Sequence, residues 1–169
     1  SVPHRTALPC SIRVADVASG NANELWKAAD GPGSAYRETD SDDQLHWTAN
    51  DEIVFPWERD GWLHFYALPA SGGEARLLTP GSFEVEHVSL SADRKTLVFD
   101  SNQDDIDRRH VWKLSFASDA SANAPASAPE EQTSGEGIET QPVVASDGST
   151  IAVLRSDARI PVRPAIVQT

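Results

Sequence analysis

The 169-residue chain has one cysteine, Cys10, and no methionine. A single thiol excludes any disulfide within the chain. Basic residues are scarce: 14 Lys and Arg stand against 26 Asp and Glu, for a net charge of −12. No phosphate-neutralising surface can be built from that balance, so nucleic acid is not an expected partner. An anionic membrane surface is disfavoured for the same reason. No apolar run approaches the length of a membrane span, and no signal peptide is visible from Ser1.

What the chain does have is a recurring pattern. Leu63 to Leu68 is an aromatic-rich run, followed by the small-residue stretch Pro69 to Gly73 and then Glu74 to Leu78. Ile12 to Val17 with Asn23 to Trp26, and Arg109 to Leu114 with Glu130 to Thr133, repeat the design. Each reads as strand, turn, strand: a hairpin. Between them lies a second hairpin motif. It appears as Leu45 to Phe55, Val88 to Phe99 and Val143 to Val153, with turns at Asn50-Asp51, Ala92 to Arg94 and Asp147-Gly148.

By subtraction of residue numbers, Phe55, Phe99 and Val153 stand 44 and 54 residues apart. Roughly 40–50 residues is the period of a four-stranded propeller blade. The longer interval holds an Ala/Ser/Pro loop at 117–129, which reads as an exposed excursion. Strand alternation puts Leu63, Phe65 and Ala67 on one face, and Trp62, His64, Tyr66 and Leu68 on the other. A strand apolar on both faces needs covering on both, as blades stacked around a ring provide. The expected fold is therefore all-β: antiparallel four-stranded β-propeller blades, about three blade equivalents, forming a partial propeller over 1–169. The end of one blade falls at 11–28, one blade at 40–80, another at 84–134, and the start of a further one at 138–169. Propellers usually close with about four to eight blades. A segment of a longer polypeptide, or self-association, would complete the ring.

Three pieces carry a family resemblance: Glu58 to Trp62 with Phe65-Tyr66; Leu78 to Gly81 with Glu84-Val85; and Ser101-Asn102 with Asp105 to Trp112. In this order they resemble later propeller blades of the prolyl oligopeptidase family of serine peptidases, nearest its dipeptidyl peptidase IV-like and acylaminoacyl-peptidase-like branch. The resemblance implies a propeller that gates the access of short peptides to an α/β-hydrolase domain, with no metal or organic cofactor. Such a domain needs a Gly-x-Ser-x-Gly elbow, and neither Gly33-Ser34 nor Gly81-Ser82 supplies one. No catalytic residue of the family can be placed on this chain, and Glu130-Glu131 is not matched to the family's amine-binding acidic pair. The implied partners are a hydrolase domain and the remaining blades, with short peptides as substrate. A non-catalytic propeller of TolB-like or WD-repeat type, binding a protein partner, is the alternative.

Five residues stand out as interface or channel candidates: Arg59, Asp60, Trp62, Arg108 and Arg109. Asp60-Gly61 is also a turn dipeptide, so Arg59 and Asp60 are expected to fix a hairpin corner, with Arg59 against Trp57 or Trp62. Asp104, Asp105 and Asp107 alternate like calcium ligands, yet the glycine and glutamate of an EF-hand loop are missing. Pairing of these acids with Arg108 and Arg109 is the expectation. His46, His64, His87 and His110 fall on strands without a short metal-ligand spacing.

Overall fold

The computed structural model describes residues 9–116 and 127–168. Most of the Ala/Ser/Pro loop, residues 117–126, lies outside them. The described residues form antiparallel strands and no helix.

Strands β1 (Ser11–Ala15) and β2 (Ala22–Lys27) make a two-stranded sheet. Next come β3 (His46–Trp47), β4 (Glu52–Glu58), β5 (Leu63–Pro69) and β6 (Arg76–Leu77), ordered β3-β4-β5-β6. A second four-stranded sheet holds β7 (Val85–Leu90), β8 (Thr96–Ser101), β9 (His110–Ser115) and β10 (Glu130–Glu131). The last sheet has β11 (Ile138–Val144), β12 (Thr150–Ser156) and β13 (Arg163–Gln168). Within each sheet, strands that follow one another in sequence lie side by side, a meander.

The face assignment for β5 holds. Leu63, Phe65 and Ala67 join Val85, Leu97, Phe99 and Leu114 in one apolar core. Tyr66 and Leu68 join Ile12, Ile53 and Phe55 in another. A third core unites Val98 and Val111 with Val144, Ile151 and Val153. The aromatics therefore weld neighbouring sheets: Phe65 meets Phe99 edge-on at 5.5 Å, and Trp26 meets Phe55 at 5.2 Å. Such ring pairs add about 0.5–1.5 kcal/mol beyond the area they bury.

Pro56 lies inside β4, a strand flanked on both sides, where a missing N–H is normally excluded. Its cross-strand partner Phe65 directs both backbone groups the other way. The Phe65 N–H donates to Thr79 Oγ1 at 3.0 Å, and its carbonyl accepts from Leu78 N at 2.9 Å. Strand β3 pairs only with Ile53 and Val54, so no ladder bond is lost at the proline.

Candidate functional site

Strands β3, β7 and β11 each occupy one edge of their sheet. Residues in and beside them share a cavity of about 620 Å³. Asp40, Asp42 and Asp43 line it from the segment before β3, with Leu45, His46 and Trp47. His87 and Ser89 line it from β7, and Gln141 and Val143 from β11.

Two β-bulges shape this edge. One falls between Val85 and Val88 and the other between Thr140 and Val143. A bulge leaves backbone groups without ladder partners, and here side chains and loops take them up. His87 N donates to Asp100 Oδ1 at 3.1 Å, and Glu86 O accepts from Asp40 N at 2.9 Å. In the second bulge Gln141 sits at φ 52°, a conformation uncommon outside glycine.

The first bulge gathers three ligand-type groups, Glu86, His87 and Asp100, within 4.8 Å of one another. Protein partners occupy them. Glu86 takes the Arg109 guanidinium at 2.6 Å, and His87 Nδ1 lies 3.0 Å from Asp100 Oδ1. The hydrogen bond to Asp100 holds the His87 imidazole above its ordinary value against the pull of burial. Burial in turn pushes the Asp100 carboxyl up, further than His87 draws it down. The pair thus holds a proton more firmly than free side chains would.

A second buried pair crosses between sheets. Glu139 of β11 accepts from His110 Nδ1 at 3.0 Å and Arg155 Nε at 3.1 Å. His64 is buried against Thr79 and Phe83, and burial depresses its pKa.

Of the five candidates named from sequence, only Arg109 reaches the cluster beside the cavity. Its ion pair is with Glu86 and not with the acids of the loop, which corrects that expectation, although its Nη1 donates to Ile106 O at 3.3 Å; among the described residues Arg108 alone pairs with those acids, at Asp105, 2.8 Å. The reason is reach: Arg109 abuts β9 and crosses to β7 in the same sheet. Arg59 is exposed with its guanidinium 5.5 Å from the Trp57 ring centroid. Asp60 Oδ1 accepts from Trp62 N at 3.3 Å, closing the hairpin corner, with Trp62 half-buried. Glu130 and Glu131, expected to open the second strand of a hairpin, form strand β10.

Sequence reasoning passed over Asp40, Asp42 and Asp43. The signal was present in the run Thr39 to Trp47, where acids lead into the apolar Leu45 and Trp47 at an edge strand.

A family model described as the dipeptidyl peptidase IV (DPP IV) N-terminal region matches residues 9–161. Over 61 residues the chain is 34% identical to a probable dipeptidyl peptidase 4 of Aspergillus flavus, covering 36% of this chain and 8% of that protein. Over 60 residues it is 32% identical to the Aspergillus fumigatus counterpart, covering 35% and 8%. The crystal structure of Porphyromonas gingivalis dipeptidyl peptidase 4 superposes with a TM-score of 0.70 at 16% identity, covering 94% of this chain and 21% of that one. The TolB structure from Acinetobacter baumannii superposes with a TM-score of 0.57 at 14% identity, covering 94% and 35%. At such identities the structural likeness establishes the β-propeller fold, and the matched stretch is a small part of the curated relatives' length.

Proposed function

The chain belongs to the dipeptidyl peptidase IV N-terminal region family, and from that premise we propose that it is a propeller segment that gates short peptides toward a serine hydrolase domain carried by the same polypeptide. The family match over residues 9–161 carries this reading. The geometry fits it. In a closed ring the first strand of each blade borders the axis, and here β3, β7 and β11 share one open cavity. Pairs such as His87–Asp100 and His110–Glu139 tie β7 to β8 and β11 to β9, bracing this wall. Such a wall admits an extended peptide and refuses a folded chain.

The chemistry resides outside this segment, because a serine elbow is absent from its sequence. The intact reaction is peptide-bond hydrolysis: a serine hydroxyl attacks the carbonyl, a histidine moves its proton to the leaving amine, and water releases the acyl-enzyme.

The test is to express the chain with its flanking coding sequence and assay dipeptidyl chromogenic substrates. Hydrolysis blocked by a serine-directed phosphonate is expected, while the 169-residue chain alone is inert. Activity of the chain alone, or a flanking sequence without the elbow, overturns the reading. A non-catalytic scaffold that binds a protein is the second reading, since the propeller fold is shared with proteins of other names. Flanking sequence that encodes only further blades would select it.

A further inference from the structure

On the reading that this edge faces a peptide passage, we propose that the cavity bordered by β3, β7 and β11 binds the side chain of a lysine or arginine in a passing peptide. Three observations converge on that ligand.

The first is charge without a partner. Asp40, Asp42 and Asp43 line the cavity, and no Lys or Arg does. All three are exposed, and among the described residues none of them is ion-paired. Glu86, Asp100, Glu52 and Glu139, by contrast, each hold a basic partner or an imidazole. His87, the one group of opposite tendency in the lining, is held by Asp100, and a concave wall with an excess of carboxylates focuses potential on whatever enters it.

The second observation is a buried polar atom. His46 lines the same cavity with 6% of its surface exposed, and its Nε2 meets no partner. Burial holds the imidazole below its ordinary value, although the charge and backbone of Asp43 pull it up, so it is neutral near pH 7. No protein group within the described residues satisfies the ring at Nε2. A buried polar atom left bare calls for a hydrogen-bonding partner.

The third is apolar lining beside the acids. Leu45 is 53% exposed, Trp47 40% and Val143 57%, and all three border the cavity. A bare metal ion has no use for them. A cation on an aliphatic stem does: its methylenes cover Leu45 and Val143, its head reaches the carboxylates, and the Trp47 face offers a cation–π seat. A peptide's terminal ammonium has the charge but lacks the stem.

The 169-residue chain is titrated with three N-acetylated, C-amidated tripeptides, Ala-Lys-Ala, Ala-norleucine-Ala and Ala-Glu-Ala, and with unblocked Ala-norleucine-Ala. Tryptophan fluorescence, read against a Trp47→Phe chain, reports binding. At low salt the lysine peptide is expected to bind about tenfold or more tighter than its norleucine isostere, with an advantage that shrinks as salt is added. In the Asp40→Asn, Asp42→Asn, Asp43→Asn chain that preference disappears. The three sites are exposed, and an unchanged urea midpoint verifies that the fold survives. Equal affinity for the lysine and norleucine peptides overturns the proposal, and so does binding that requires a free N-terminus or a preference retained in the triple variant. No hydrolase domain takes part in these titrations. A negative result therefore leaves the peptidase reading standing, and an absent hydrolase domain leaves a positive result standing.

Discussion

Single residues decide how this protein answers to pH. Asp147 caps the β11–β12 turn by accepting from Ser149 N and Thr150 N, both at 2.9 Å, and those bonds bring its pKa down to about 2. Its folded value lies below the ordinary 3.8, so it stabilises the fold above pH 3.8, and that contribution is lost as pH falls through about 2. Asp147→Ala is therefore expected to lower the urea midpoint at pH 5 and to flatten its decline between pH 3.8 and 2. His87 has the opposite sense. Its raised pKa gives stability that is complete below pH 6.5 and fades as pH climbs through the folded value. Asp100→Asn removes the partner and leaves burial in charge, so the His87 ring should titrate lower than in the parent chain, as an NMR titration of the imidazole would record. A titration unchanged by the substitution would show that Asp100 does not govern this histidine.

Elements show why the hairpins could be read from sequence while the site could not. Turn chemistry and period-2 alternation are local, and Asp51, Arg94 and Gly148 stand at the expected turns with φ of 58°, 61° and 74°. Burial of β5 on both faces followed from its alternating apolar residues. The bulge in β7 was not legible, because its freed backbone groups are met by Asp100 and Asp40 from other segments. Nor was the partner of Arg109, which lies 23 residues away in Glu86. The acidic lining escaped for a similar reason: Asp40 to Asp43 become a wall only when β7 and β11 are set beside them. One prediction belongs to this scale. Arg94 is exposed, holds a left-handed conformation, and spends its backbone on Ser91 and Ala49. A side chain in that region costs roughly 1–2 kcal/mol relative to glycine, offset in part by glycine's greater unfolded freedom. Arg94→Gly should thus raise the thermal midpoint by a few degrees, and Gly148→Arg should lower it; calorimetry on both variants checks the pair.

At the scale of the whole molecule the two outer flanks differ. On the first sheet the exposed Arg13–Glu24 pair and the Ser11–Lys27 register pair make a polar surface. On the last sheet Ala152 and Ile166 stand side by side across β12 and β13, with Ile166 60% exposed. If a further blade covers that flank in the intact polypeptide, Ile166→Glu will change the stability of the 169-residue chain by no more than about 0.5 kcal/mol, as surface substitutions usually do. The same change in the longer polypeptide will depress its unfolding midpoint clearly, and equal responses in both contexts would argue against a covering blade. The three apolar cores are arranged in series, each shared by consecutive sheets and no others. A chain built this way resembles a row of coupled links more than a single cooperative droplet. Amide exchange should run inward from the two-stranded terminus, with β5 and β8 the last to open. An injury in one link weakens its neighbours and spares the rest, so lineages can add or shed links without redesigning those that remain.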